Sequence, residues 1–165
     1  ALKYRNNETG KWLKISWREF ADKVMLTAEA MAEFGIGVQE NIGVYSQNMQ
    51  QCLYTDYGAY AIRAVPIPLY ATSSPAQIDY IVNDAQIHTL FVGEQLQYNN
   101  AFKVQQKSAV LTRLVVFDSS VKLNPEDKTS VYFDDFLRLG NNTHAESTVK
   151  VRMKEASEDD LATIV

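Results

Sequence analysis

Three hydroxyl side chains lie between the apolar run at residues 64–69 and the predicted start of a helix. Tyr70, Thr72 and Ser73 lie in the segment Leu69–Ser74, directly before the predicted N-terminus of a helix. The free N–H groups and the dipole at such a terminus favour anions, so these residues could contact an anionic ligand. A turn that caps the helix would use the same residue types without any ligand. The three residues are therefore candidate ligand contacts, with the turn-and-cap interpretation beside them.

The imidazole and thiol side chains do not form a recognisable catalytic or metal motif. The chain has two histidines, His88 and His144, and one cysteine, Cys52. None of them has ligand-type spacing with another donor, and a Cys–His nucleophile pair would need them to converge. We expect the histidines at a strand edge and in a loop, and Cys52 as a small core hydrophobe. These residues therefore predict neither a metal site nor a Cys–His nucleophile pair.

One carboxylate falls on the predicted apolar side of a helix. Asp56 lies four residues from both Cys52 and Tyr60. A buried carboxylate must be paired or hydrogen-bonded, because its desolvation is otherwise costly. A structural partner, such as Arg63 or a tyrosine hydroxyl, explains Asp56 better than catalysis does.

Glycine-rich phosphate loops are absent from the sequence. Neither Gly-x-Gly-x-x-Gly nor Gly-x-x-x-x-Gly-Lys-Ser/Thr occurs. Gly35-Ile36-Gly37 has the right residue type, but it is predicted to end a helix instead of joining a strand to a helix start. We expect a cap and a turn there.

A hairpin and a capped helix open the chain. Residues 2–5 and 11–15 flank a polar loop that contains Gly10, which predicts a β-hairpin. Ser16 and Glu19 form a capping box at the start of the helix, and Gly35 supplies its left-handed stop. Apolar residues at spacings of three and four predict one buried helix face, made of Trp17, Phe20, Val24, Ala28, Met31 and Phe34.

Four apolar runs without polar alternation then alternate with amphipathic segments. Such runs indicate parallel strands that are covered on both faces, so the predicted fold is α/β, with a parallel sheet flanked by helices and right-handed crossovers. Strands are predicted at residues 42–45, 64–69, 89–92 and 114–117, with helices after Asn48 and Ser74 and over about residues 94–108 and 133–139.

Four finer expectations accompany this fold. The helix after Asn48 is predicted to bury a face made of Met49, Leu53, Tyr57 and Tyr60. Pro66 and Pro68 are predicted to break or bend their strand, because proline cannot donate to a ladder. The polar stretch after residue 140 is predicted to be a connector with one strand at Val149–Met153, and Leu161–Val165 is predicted to be a strand cut at its edge.

Composition excludes several classes of protein. The chain has 165 residues, of which 46% are hydrophobic and 22% charged, as in an ordinary globular domain rather than a disordered or disulfide-dense one. Its net charge of −4 disfavours a nucleic-acid binder, which would need a basic stripe. No secretory signal and no apolar run of membrane-spanning length occur, so we expect a cytoplasmic location.

In order and spacing, these segments resemble the N-terminal part of the AMP-forming long-chain fatty acid–CoA ligases, or acyl-CoA synthetases, of the adenylate-forming enzyme superfamily. The entry hairpin with Thr9-Gly10-Lys11-Trp12 and the helix start Ser16-Trp17-Arg18-Glu19-Phe20 carry part of the resemblance. The middle and the end carry more of it, in Asn-Ile-Gly-Val-Tyr-Ser-Gln-Asn (41–48), Ala-Val-Pro-Ile-Pro-Leu-Tyr-Ala-Thr-Ser-Ser-Pro (64–75), Gln-Ile-Asp-Tyr-Ile-Val-Asn-Asp (77–84) and Asp-Asp-Leu-Ala-Thr-Ile-Val (159–165).

The resemblance implies a parent enzyme that converts a fatty acid, ATP with Mg²⁺, and CoA to acyl-CoA, AMP and diphosphate through an acyl-adenylate. The family's phosphate loop, nucleotide contacts and metal-binding acid all lie downstream of these residues. The resemblance therefore implies that this chain alone is inactive and binds no cofactor, and that Tyr70, Thr72 and Ser73 lie near the acyl or pantetheine path. It leaves open peripheral contact with a membrane.

The resemblance also implies a division of the chain, as a truncated N-terminal subdomain over residues 1–165. Its parts are a hairpin (1–15), an α/β core (16–118), a connector (119–157) and a strand (158–165) that leads to the missing phosphate loop. Arg63 departs from the small glycine that the family usually has at this position. Two alternatives stay open: another adenylate-forming ligase, for aryl or amino acids, and a free-standing α/β ligand-binding or interaction module.

Overall fold

A parallel sheet organises the chain, and a small antiparallel hairpin precedes it. The structure is a computed structural model that describes residues 1–5 and 9–165, so residues 6–8 of the hairpin loop predicted at Asn6–Gly10 lie outside the described residues. The strands are β1 (Leu2–Arg5), β2 (Trp12–Ile15), β3 (Asn41–Tyr45), β4 (Val65–Leu69), β5 (Thr89–Val92), β6 (Arg113–Val116) and β7 (Val131–Tyr132). The helices are α1 (Trp17–Glu33), α2 (Gln50–Ala61), α3 (Pro75–Asp84), α4 (Gln95–Gln105), α5 (Phe133–Leu139) and α6 (Thr143–Lys154).

The five-stranded sheet has the order β4-β3-β5-β6-β7, and all of its pairs are parallel. Gly43, in the middle of β3, stands opposite Ile67 on one side and Leu90 on the other. Strands β3, β5 and β6 are almost entirely buried, which explains why their sequences lack polar alternation. The predicted fold class, an α/β parallel sheet flanked by helices and preceded by a β-hairpin, is confirmed.

Two hydrophobic clusters lie on opposite faces of the sheet. Met31 of α1, Phe91 of β5 and Phe136 of α5 belong to the first cluster, which α1, α2, α5 and α6 cover. Ile78 of α3 and Tyr98 of α4 belong to the second. Burial of apolar side chains on both faces, at about 25 cal/mol per Å², supplies the main driving force for this arrangement.

The predicted starts of α1 and α3 and the predicted glycine stop after α1 are present. Ser16 accepts a hydrogen bond from the Glu19 N–H while the Glu19 carboxylate accepts from the Ser16 N–H, which completes the capping box. Gly35 has φ of +86°, the left-handed conformation expected after α1. Ser74 and Gln77 cap α3 in the same reciprocal way, with Pro75 in its first turn.

The prolines do not interrupt their strand. β4 is continuous through Pro66 and Pro68, which stand opposite Ile42 and Val44 of β3, so the predicted break is wrong. The reason is position: within the described residues β4 is an edge strand, and an edge strand needs hydrogen-bond donors on one side only.

Three other expectations about secondary structure are wrong. Residues 149–153 belong to helix α6, whose N-cap Asn142 accepts a hydrogen bond from the Ala145 N–H. Helix α2 has Met49 as its N-cap, so Asn48 does not cap it. Residues 161–165 contain no strand and are held beside β4 by side-chain hydrogen bonds instead.

The buried faces of α1 and α2 also differ in part from the prediction. Trp17 is 75% exposed, and Tyr57 and Tyr60 of α2 are 51% and 41% exposed. Helix α2 instead buries Tyr54, Thr55, Gly58 and Ala59. This face suits a close approach, because a Cβ added to Gly58 would lie only 3.2 Å from the Ala28 nitrogen of α1.

Candidate functional site

A cleft of about 640 Å³ lies at the carboxyl ends of β3 and β4, underneath the hairpin. Ligands of open α/β sheets bind at this end of the strands, because the loops that leave the strands diverge there. We call it the carboxyl-end cleft. It is lined by Leu2–Tyr4 of β1, Val44 of β3, Ser46–Gln50 after β3, Cys52, Leu53 and Asp56 of α2, and Pro68–Ala71 at the end of β4.

The structure separates the three hydroxyl residues that the sequence grouped together. Tyr70 lines the carboxyl-end cleft and is 86% exposed. Thr72 is exposed and does not line it. Ser73 is buried; its N–H donates to the Tyr70 carbonyl over 2.8 Å, and its carbonyl accepts from the Tyr45 hydroxyl over 2.7 Å. Ser73 therefore shapes the turn, while Tyr70 reaches the cleft.

The Asp56 carboxyl group also lines this cleft. Within residues 1–5 and 9–165 it has no hydrogen-bond or ion-pair partner. The predicted structural partner, Arg63 or a tyrosine hydroxyl, does not bind Asp56 in the described residues, where Arg63 binds Asp160 and Glu155. Burial without a compensating donor raises the pKa of Asp56 from 3.8 to about 6.

Replacing this carboxylate with an amide tests its cost to the fold. Because the pKa is higher in the folded chain, the folded chain holds the proton more tightly, and stability falls as the pH rises from 3.8 to about 6. We expect Asp56→Asn to raise the free energy of unfolding by about 1 to 2 kcal/mol near neutral pH, which allows for partial hydration of the carboxyl group. The gain should vanish below about pH 4. Urea unfolding at both pH values measures it.

The control for this prediction is Asp84→Asn, which changes an exposed carboxylate in the last turn of α3. It should leave the free energy of unfolding nearly unchanged at both pH values. An equal gain for Asp56→Asn at the acidic and neutral values would contradict the prediction, because the acidic sample has no ionised carboxylate left to relieve.

The side chains of Cys52 and the two histidines contact backbone carbonyls or a glutamate. The Cys52 thiol donates to the Gln47 carbonyl over 3.4 Å, and burial raises its pKa, which makes it a poor nucleophile. His88 Nδ1 lies 3.0 Å from the Val110 carbonyl, and His144 Nδ1 lies 2.8 Å from Glu33. In the part of the chain that the structure describes, no group of three Cys, His, Asp or Glu residues is placed to hold a metal ion.

A second constellation, which the sequence did not reveal, ties the C-terminal segment to the edge of the sheet. The Arg63 guanidinium donates two hydrogen bonds to the Asp160 carboxylate, of 2.7 and 3.0 Å. Gln39 accepts from the Leu161 N–H over 2.8 Å and donates to the Leu161 carbonyl over 3.3 Å. We call these four residues the latch. Beyond it, the Thr163 hydroxyl donates to the Pro66 carbonyl over 2.7 Å.

The latch accounts for an unusual residue type at position 63. Arg63 has φ of +63°, in the left-handed region that favours glycine. Its side chain is only 17% exposed and that of Asp160 only 18%, so the pair is largely shielded from water. The hydrogen bonds from Arg63 lower the pKa of Asp160. The ion pair thus favours a residue whose backbone conformation is otherwise costly.

Removing the arginine should release the C-terminal segment without unfolding the chain. Glycine adopts the backbone conformation of Arg63 without steric cost, so Arg63→Gly should leave the melting temperature nearly unchanged. The amide of Leu161 should exchange with solvent on the order of tenfold faster, because the segment opens locally. Hydrogen exchange followed by NMR measures the Leu161 amide, and thermal unfolding measures the melting temperature. Unchanged exchange at Leu161 would show that the latch does not hold the segment.

A matched control uses an ion pair on the protein surface. Arg138 and Asp135 of α5 pair across one helical turn, with side chains 79% and 53% exposed. Surface pairs of this kind contribute little to stability. Asp135→Asn should therefore leave exchange at Leu161 unaltered.

The fold and the cleft together define an α/β protein with a candidate ligand site at the carboxyl end of a parallel sheet. The chain belongs to the AMP-binding enzyme family, which matches it over residues 1–165. No helix in the described part of the chain is both long and apolar enough to cross a membrane.

Proteins similar to this chain include CoA ligases. Long chain acyl-CoA synthetase 5 of Arabidopsis thaliana is 26% identical over 153 residues, which are 88% of this chain and 22% of that protein. Fatty acyl-CoA synthetase A of Dictyostelium discoideum is 24% identical over 162 residues, which are 94% of this chain and 22% of that protein. The chain thus spans about a fifth of the length of these relatives.

Solved structures share the fold at lower sequence identity. The anthranilate CoA ligase AuaEII in complex with anthranoyl-AMP superposes with a TM-score of 0.67 and 17% identity, over 76% of this chain and 23% of that one. Coronafacic acid ligase from Pectobacterium brasiliense has the same TM-score at 14% identity, over 75% of this chain and 24% of that one. These structures support the architecture and not a particular substrate.

Proposed function

We propose that this chain is the N-terminal subdomain of an AMP-forming long-chain fatty acid–CoA ligase. The observation that carries the proposal is the family match over residues 1–165, combined with relatives that are named long chain acyl-CoA synthetases. The parent enzyme would convert a fatty acid, ATP and CoA to acyl-CoA, AMP and diphosphate. ATP, bound with Mg²⁺ at residues outside this chain, would supply the adenylyl group that activates the acid.

In this proposal the chain supplies a wall of the active site. The parallel sheet positions the carboxyl-end cleft, and Tyr70 brings an aromatic hydroxyl into it. We place Tyr70 near the acyl or pantetheine path, with Thr72 and Ser73 shaping the turn beside it. The latch orients the segment that begins at Leu161, on which the resemblance places the approach to a phosphate loop. A cytoplasmic location and peripheral contact with a membrane belong to the same proposal.

Two experiments test the proposal. The protein encoded by the complete reading frame that contains residues 1–165 should exchange pyrophosphate into ATP when a long-chain fatty acid is added. Exchange that depends on anthranilate or another aryl acid, and not on fatty acids, would replace the long-chain assignment with an aryl-CoA ligase. Exchange with neither class of acid would contradict a ligase of either kind.

The 165-residue chain itself gives the second measurement. Calorimetric titration with Mg-ATP should show no saturable heat of binding, because we propose that the nucleotide-binding residues lie outside the chain. Micromolar affinity would contradict that division and would support a free-standing ligand-binding module.

A further inference from the structure

We propose that the outward side of the β-hairpin is a docking surface for an anionic lipid bilayer. This surface, which we call the outer hairpin face, consists of Lys3 and Arg5 of β1 and Trp12 and Lys14 of β2. The inference rests on the proposed function only for the peripheral membrane contact included there. It gives that contact a place on the chain and a lipid charge.

Strand pairing puts the four side chains of the outer hairpin face on one side of the hairpin. Lys3 stands opposite Lys14, and Arg5 stands opposite Trp12; residues paired across two strands project to the same face. All four side chains are exposed. The alternate positions are apolar or aromatic, and among them Ile15 packs against the first hydrophobic cluster. The hairpin therefore presents three cations and one tryptophan to solvent.

Charge is distributed unevenly along the chain. Residues 1–16, which include both hairpin strands and the cap of α1, contain four Lys and Arg and one Glu, a net charge of +3. Residues 17–165 contain twelve Lys and Arg and nineteen Asp and Glu, a net charge of −7. In the described part of the chain, Lys3, Arg5 and Lys14 form no ion pair with a carboxylate. An anionic surface would therefore attract the hairpin end of the chain and repel the remainder.

The tryptophan favours a bilayer over an acidic protein as the partner. Trp12 is 61% exposed, and its ring centre lies 5.1 Å from the Lys3 ammonium. Tryptophan rings concentrate at the level of the lipid headgroups, and lysine side chains extend so that their ammonium groups reach the charged layer. A fluid headgroup layer accepts such a ring without a matched pocket, whereas a folded protein would have to supply one.

The fold also provides surfaces on which the same residue types should not bind lipid. The hairpin packs on the cluster that α1 covers, whereas α3 and α4 cover the other face of the sheet. Tyr80 of α3 is 70% exposed, and Lys103 of α4 and Lys107 beyond its end are exposed. These three residues match the ring and the cations of the outer hairpin face in type and exposure, so they serve as controls.

The test titrates the 165-residue chain with vesicles of phosphatidylcholine alone, and with vesicles of equal parts phosphatidylcholine and phosphatidylserine. The chain has two tryptophans, Trp12 and Trp17, so Trp17→Phe leaves Trp12 as the one reporter. We expect its emission to shift to the blue with the anionic vesicles, and acyl chains that carry bromine to quench it. Vesicles of phosphatidylcholine alone should cause no shift, and high salt should weaken the binding.

Charge variants locate the contact. Lys3→Gln combined with Lys14→Gln should weaken binding to the anionic vesicles on the order of twentyfold, because each cation near such a surface contributes about fivefold in affinity. Lys103→Gln combined with Lys107→Gln changes the net charge by the same amount and should leave binding unchanged. Equal losses in the two double variants would overturn the inference, because net charge and not the hairpin would then control binding.

Trp12→Ala should weaken sedimentation with the anionic vesicles by about tenfold, through the loss of buried ring surface, and Tyr80→Ala should not. All these positions are exposed, so the melting temperature should stay nearly constant. The absence of vesicle binding would overturn the inference, and so would an equal emission shift with polyglutamate, which would indicate an acidic protein partner. Pyrophosphate exchange without vesicle binding would reject this surface alone, and vesicle binding without exchange would reject the ligase assignment alone.

Discussion

Replacing Gly140 with alanine is expected to lower the free energy of unfolding by about 3 kcal/mol, the upper part of the range for overpacking. An added Cβ would lie 2.6 Å from the Ala30 nitrogen and 2.7 Å from the Leu26 carbonyl oxygen. Both atoms belong to the backbone of α1 and cannot rotate away, so the end of α5 would have to move off α1. Gly140 has φ of −73°, which alanine adopts freely, and the whole effect is therefore steric.

Urea unfolding of the variant measures this effect, with Gly37→Ala as the matched control. A Cβ at Gly37 would meet the end of the flexible Glu40 side chain, at 3.3 Å, and not backbone. That side chain can shift, so the control should change the free energy of unfolding by less than about 1 kcal/mol. Equal losses in the two variants would show that α1 and α5 are not held as closely as their backbone distances indicate.

The parts of the fold that the sequence predicts correctly are those that local chemistry determines. The capping boxes at Ser16 and Ser74 each need two residues three positions apart, and the left-handed stop needs one glycine. The strands β3, β5 and β6 are short apolar runs that both faces of the sheet bury. Each of these signals lies within a few residues, so the local structure that it predicts does not depend on tertiary packing.

The errors arise where tertiary packing overrides the local pattern. Helix α2 lies against α1 through Gly58, so small residues face the neighbouring helix, and the large Tyr57 and Tyr60 side chains turn outward. Spacing alone assigned the tyrosines to the buried face. Helix α6 has a polar sequence and buries little more than Ala145 and Val149, which left too weak a helical period for prediction.

The candidate site likewise contains residues that the sequence predicts and residues that only the fold brings together. The sequence brings attention to Tyr70, because the hydroxyl-rich turn follows a strand, and the structure places Tyr70 in the carboxyl-end cleft. The sequence also indicates that Asp56 is a carboxylate on a buried helix face, but its lack of a partner depends on Arg63, which binds Asp160 and Glu155 instead. The Arg63–Asp160 pair joins residues that are 97 positions apart, and no spacing rule connects them before the fold is known.

The contact between α5 and the sheet shows how much such long-range packing contributes. Phe136 is 1% exposed, and its ring centre lies 5.3 Å from that of Phe34, 5.5 Å from that of Phe91 and 5.9 Å from that of Phe133. Phe34 and Phe91 meet it edge to face, the geometry that the quadrupoles of aromatic rings favour. One side chain thus links the end of α1, strand β5 and the start of α5.

Truncating this ring should strongly destabilise the fold. Phe136→Ala is expected to lower the free energy of unfolding by about 4 kcal/mol, because the lost burial is joined by a cavity that three other rings surround. Phe136→Leu, which refills most of the volume, should lose only about 1.5 kcal/mol. Urea unfolding measures both variants, and Leu96→Ala, at a residue of α4 that is 56% exposed, is the surface control. A loss for Phe136→Ala no greater than that of the control would mean that α5 does not pack on the sheet as described.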